Sequence, residues 1–170
     1  MSEDQLREQL YASFKNRALI YWSIYDELCN ELDADRAEHI LSRAIRRRGE
    51  QMGATLAEFG PDDTRGLCEA FLEKIPDGGQ MFGPRVERCD RDGLDIVFQR
   101  CPLRDAWLEA GLDDAQVATI CRIAAAVDVG LFEGAGFQFH ADTWEAERDG
   151  CCHLHIRPGT TQQGCTTQES

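Results

Sequence analysis

The stretch Arg85–Arg100, RVERCDRDGLDIVFQR, is where the chain leaves helical spacing for alternation, and its reading decides the fold. Two short runs flank Asp92-Gly93, a pair of the type that favours tight hairpin turns. Leu94, Ile96 and Phe98 fall at every second position, so an extended strand puts all three on one face. A hairpin is therefore expected here, and the segments on either side must supply the layer that covers its apolar face.

Upstream, Leu6, Leu10, Phe14, Ala18, Tyr21 and Ile24 recur at helical spacing over residues 5–30. Asp33 or Asp35 can start a second helix through Ala37, Ile40, Leu41, Ala44 and Ile45. Gly49 and Gly53 weaken its continuity, although Leu56 and Phe59 keep the period until FGPDD stops it, and a shorter helix follows over 64–75. Downstream, CPLRDAW reads as a loop in which Cys101 ends a strand and Pro102 turns the chain. DDAQVATICRIAAAVDVGLF has an acidic start, an alanine-rich centre and a 3.6-residue period, which predicts a helix capped by Asp113. GAGFQFHADTW and DGCCHLHIR then read as two closing strands.

Helices, hairpin, helix and hairpin in that order predict an α+β domain: N-terminal helices packed on one face of a four-stranded, largely antiparallel sheet. The expected organisation is a single domain over 1–157, helical to 75 and sheet-containing from 80, followed by a disordered polar tail over 158–170 that includes Cys165. Of the 170 residues, 42% are hydrophobic and 29% charged, a globular balance. Eighteen basic against thirty-one acidic residues leave a net charge of −13, which repels phosphate backbones and anionic lipid. Neither nucleic acid nor a membrane is an expected partner. The polar start MSEDQLREQL has no signal-peptide pattern, and no later run reaches the roughly 20 apolar residues of a membrane span, so the expected location is the cytoplasm. The composition leaves a homo-oligomer open.

In a reducing compartment eight cysteines do not imply a disulfide framework. Some are expected in the core, where free cysteine is common; others are candidates for chemistry. Cys121 and Asp128 lie seven residues apart, two turns of one helix, on the stripe of Val117 and Ala124. A carboxylate on an apolar stripe is expensive to bury without a partner, although a helix-terminal capping role would also place one there. In the last strand, parity sets Cys152 with Leu154 and Ile156 toward the core, and Cys151, His153 and His155 outward; His140 falls outward in the neighbouring strand. Cys101, Cys121 and Cys152 thus form a candidate inward set. Three thiolates would leave one position open on a tetrahedral zinc or on one iron of a four-iron cluster. Without a CxxC pair, plain core packing competes with that reading. His140, His153, His155 and Cys151 form a second candidate metal set, against which stands an ordinary solvated sheet face. Arg46–Arg48 offer cations for a substrate carboxylate, or simply a wet helix surface.

NRALIYWSIYDEL, RAIRRRGEQMG, CPLRDAWLEAGL, ICRIAAAVDVGLF and DGCCHLHI together resemble the L-2-amino-thiazoline-4-carboxylic acid hydrolase family over roughly residues 10–157. The family's three recurrent cysteines fall on Cys101, Cys121 and Cys152, and its helix acid on Asp128. The chain departs from the pattern at Arg148, where a Gly is usual, at Leu154 for a Phe, and in its histidines. The resemblance implies hydrolysis of a C–S or C–N bond in a small sulfur-containing cyclic amidine: water adds at the carbon between ring sulfur and nitrogen, and the ring opens. Asp128 would take the proton. The three cysteines would hold zinc or an iron–sulfur cluster, or one would act as a nucleophile without metal. Two alternatives remain: a desulfidase whose three-cysteine cluster offers its open iron to a thiocarbonyl sulfur, and a sensor module that binds metal or cofactor without turnover.

Overall fold

The computed structural model describes residues 2–160. Cys165 and most of the expected polar tail lie outside the described residues. Two long helices open the chain, α1 (Glu3–Glu31) and α2 (Ala34–Gly53). Ser2 and Gln5 close a reciprocal capping box on α1, and Asp33 accepts the Arg36 amide at the start of α2. A short 3₁₀ turn (Ala54–Phe59) leads to α3 (Thr64–Glu73), then the hairpin β1 (Pro84–Asp90) and β2 (Gly93–Phe98), α4 (Pro102–Glu109), α5 (Asp114–Gly134), β3 (Gln138–Asp142) and β4 (Cys152–Arg157). The sheet order is β1-β2-β4-β3 with every pairing antiparallel, so the α+β architecture is as expected.

The first hairpin turns on Arg91-Asp92, one residue earlier than expected, because Asp90 Oδ1 accepts the amides of Asp92 and Gly93 and closes the turn there. Leu94, Ile96, Leu154 and Ile156 are buried on the inner face together with Phe137, and Phe98, Phe139, Ala141 and Cys152 pack there partly buried. α3 and the C-terminal half of α5 complete this apolar layer through Phe71, Leu131 and Phe132. A second cluster, built by α1, α2, α4 and the N-terminal half of α5, gathers Ala18, Leu41, Ile45, Trp107, Ile120 and Cys121.

Gly49 and Gly53 do not interrupt α2; they let α5 lie against it. A Cβ on Gly49 would stand 2.0 Å from the Val127 carbonyl oxygen, and one on Gly130 2.1 Å from that of Arg46. The two helices thus touch backbone to backbone, and α5 becomes the spine shared by both clusters. By length and mean hydropathy, 1.5 over an 18-residue window, α5 could cross a membrane, contrary to the expectation that no segment would; half of that window is buried within the domain.

Two further expectations are corrected. CPLRDAW is not a loop: Pro102 occupies the first turn of α4, where its fixed φ and missing N–H suit a helix start, and Cys101 is the N-cap, separated from the end of β2 by Gln99 and Arg100. In α1, Leu6 and Ile24 are exposed; the packed face is Phe14, Ala18, Tyr21, Trp22 and Tyr25. Just beyond β4, Gly159 donates to the Pro61 carbonyl at 2.8 Å and Gln138 Nε2 to that of Pro158 at 3.0 Å.

Candidate active site

The seam between the two clusters is where the candidate residues meet. Cys121, buried on α5, belongs to the first cluster, with Cys101 packed against it from the start of α4; Cys152 enters from the head of β4 on the side of the second. All three thiols interact electrostatically, and burial is the main force raising the pKa of each. For Cys101 the amides of Leu103 and Arg104, at the N-terminal end of α4, pull in the opposite sense without closing a full cap hydrogen bond. For Cys152 the Trp144 amide does the same. The thiols are therefore neutral at ordinary pH.

Cys151 joins this group, contrary to the outward position expected for it. β4 begins only at Cys152, so the pleat does not govern the residue before it, and Gly150 at φ 76° swings the chain so that Cys151 is 1% exposed. Its amide donates to Phe98 O at 2.8 Å, and Arg104 Nη1 reaches its sulfur at 2.7 Å. Burial pushes the Cys151 thiol up to about 12 despite that guanidinium. Arg104 is itself tied down, with Nε and Nη2 at 3.0 and 2.6 Å from Asp105 Oδ1.

Asp128 lies on α5 two turns beyond Cys121, as expected. The residue is half-buried, its carboxylate oxygens keep solvent contact, and it makes no side-chain hydrogen bond or ion pair among the described residues. Burial raises its pKa to about 7, opposed by the charge of Arg17 on α1. The negative charge of Asp128 in turn adds to the upward shift of Cys152, whose main cause is burial. An aspartate that titrates near neutrality beside a wall of protonated thiols can take and return protons at physiological pH.

The outer face of the sheet is organised differently. His155 Nδ1 stands 2.7 Å from Asp95 Oδ1, and His155 Nε2 and His140 Nε2 approach the two oxygens of Asp142 at 3.4 and 3.2 Å. Arg157 holds Asp95 at 2.8 Å, and His153 Nε2 contacts Asp149 O at 3.1 Å. These histidines are outward as expected and are engaged with carboxylates and a carbonyl, while Cys151 is absent from their face. Among the described residues, no group of three His, Cys, Asp or Glu side chains has the spacing of a metal cage on either side of the sheet. Neither donor set, as arranged, fits zinc or a cluster.

A family model described as L-2-amino-thiazoline-4-carboxylic acid hydrolase matches residues 13–156. The chain belongs to that family. For this family member no curated protein matches by sequence. Its fold is similar to a crystal structure of trafficking protein particle complex subunit 3 from Naegleria fowleri covalently bound to palmitic acid. The TM-score is 0.59 at 13% identity, covering 88% of this chain and 96% of that one. At that identity the likeness is one of fold. Sequence reasoning missed Arg17, Arg104 and Trp144, and it put Cys151 with the outward histidines. Arg17 and Arg104 sit inside NRALIYW and CPLRDAW, but nothing in a linear motif tells which cation faces the seam.

Proposed function

We propose that the protein hydrolyses a small sulfur-containing cyclic amidine of the 2-amino-thiazoline-4-carboxylate type, with Asp128 as general base. One observation supports this reading: a half-buried carboxylate without a hydrogen-bonding partner among the described residues, its pKa raised to about 7, on the helix that also carries Cys121. Water adds to C2, the carbon between ring sulfur and ring nitrogen, and gives up a proton to Asp128. The tetrahedral adduct collapses with cleavage of a ring bond to C2, and the leaving heteroatom takes a proton back from Asp128. Atoms balance as substrate plus water to a ring-opened carbamoyl product. The thiols, held neutral by burial, act as a weakly polar wall that limits the water reaching the carboxylate. No step is assigned to a metal, because the donor spacing does not fit one.

Turnover of 2-amino-thiazoline-4-carboxylate tests the reading, followed across pH for the wild type and Asp128→Asn. The expected result is a kcat/KM that rises through about pH 7 in the wild type and a loss of kcat on the order of 10²–10⁴-fold in the variant, the usual worth of a general base. A variant with wild-type rate and pH profile would remove Asp128 from the chemistry.

A further inference from the structure

We infer that the outward face of α1 docks a second copy of this chain, the two α1 helices running antiparallel across a twofold axis level with Trp22. Ile20 and Ile24 are 48% and 44% exposed, and Leu19 beside them is 41% exposed. Apolar side chains scattered singly over a surface need no explanation, but these adjoin within about one turn of the same helix. They need a cover that the folded chain does not supply.

The charges around the isoleucines say what that cover is. Ser13, Arg17, Ile20, Ile24, Glu27 and Glu31 recur at alternating intervals of four and three residues, and all six are exposed. That is the spacing of the seam between two paired helices. When two copies run antiparallel, Ile20 of each lies opposite Ile24 of the other, Arg17 opposite Glu27, and Ser13 opposite Glu31. In a parallel pair Arg17 would face Arg17 and Glu27 would face Glu27, so the charges select the antiparallel arrangement.

Both charges are free for that use. Arg17 and Glu27 make no ion pair or side-chain hydrogen bond among the described residues, whereas Arg7 and Lys15 of the same helix are engaged by Asp77 and Glu109 at 3.0 and 2.7 Å. The Arg17 guanidinium carbon lies 4.4 Å from the centroid of the Phe14 ring, which holds the side chain at the margin of the seam before a partner arrives. Other occupants fit less well. Residues 161–170, TQQGCTTQES, bring no large apolar side chain to the isoleucines. Glu27 and Glu31 within the stripe, on a chain of net charge −13, repel anionic lipid. A single pair of helices buries an area at the small end of specific interfaces, so the dimer is a reversible one.

Sedimentation velocity of the full chain from about 1 to 300 µM tests this, over the range in which an interface of that size associates. The wild type is expected to pass from monomer to dimer. Arg17→Glu and Glu27→Arg should each weaken the dimer by about tenfold or more, because each sets like charges opposite one another at both ends of the seam. Mixed in equal amounts, the two variants should associate again: one contact then pairs the two substituted positions and the other the two native residues, both of opposite sign. Mixing would not relieve a folding defect in either variant. A wild type that stays monomeric throughout overturns the proposal. So does a mixture that associates no better than either variant alone, because the dimer would then use another face.

Discussion

Replacing Asp128 by Asn should change how the stability of the protein depends on pH, by an amount the structure sets. Burial raises the folded-state pKa of Asp128 from 3.8 to about 7. Between those values the unfolded chain has released a proton that the folded chain still holds. Stability from this group is therefore full below the unfolded value and is lost as pH rises through about 7. At about 1.36 kcal/mol per unit, the loss approaches roughly 4 kcal/mol at pH well above 7, an upper value because the residue keeps some solvent contact. Asn matches Asp in shape and carries no charge in either state, so it escapes that loss. Urea unfolding of both proteins at about pH 4, 6 and 8 isolates the term, since every other titrating group is common to the pair. The variant should be close to the wild type at the lowest pH and progressively more stable above it, although catalytically impaired. A difference that stays constant across the range would show that Asp128 titrates normally, and the general-base argument would fall with it.

Gly49→Ala should cost about 3 kcal/mol, seen in denaturant unfolding, because the added Cβ would stand 2.0 Å from Val127 O and α5 would have to move as a body. Trp144 is 8% exposed and packs in the first cluster from the β3–β4 connection, with its amide acting on Cys152. Trp144→Leu should speed alkylation of Cys121 and Cys152 by iodoacetamide on the order of tenfold or more, read by peptide mass spectrometry, because the connection then opens more readily. At Asp95, burial favours the neutral acid, but the hydrogen bonds from Arg157 and His155 outweigh it and hold the pKa below the usual value. Asp95→Asn should therefore cost about 1 kcal/mol at neutral pH, and that cost should vanish as pH falls through the Asp95 pKa; thermal unfolding at two pH values checks both.

Periodicity revealed α5, its Asp113 cap and the inner face of β2 and β4, because each spans enough residues for an apolar pattern to repeat. It failed where an element is short or apolar on more than one side. α4 has only eight residues, and Pro102 at its start reads equally as a turn. α1 carries Leu6, Leu19, Ile20 and Ile24 on its exposed side as well as the aromatic stripe it buries, so spacing alone does not choose between two apolar faces. The glycines of α2 read as breaks because their purpose lies on another helix: a backbone contact between α2 and α5 leaves no trace in the pattern of either one.

The site divides along the same line. The placements of Cys121, Asp128 and Cys152 were legible because helix and strand geometry fix which way each residue points within its own element. Cys151 was not, since the pleat begins one residue later and a glycine at positive φ re-aims it. The histidines were placed on the correct face, but their use depends on carboxylate partners, which Asp95 of β2 supplies to His155 and Asp142 of β3 to His155 and His140. That contrast bears on function. On the outer face the charged groups have found one another, and a ligand would have to displace bonds already made. Along the seam Asp128 has no such partner among the described residues, so a ligand that bonds to it gains its interaction without breaking one already made.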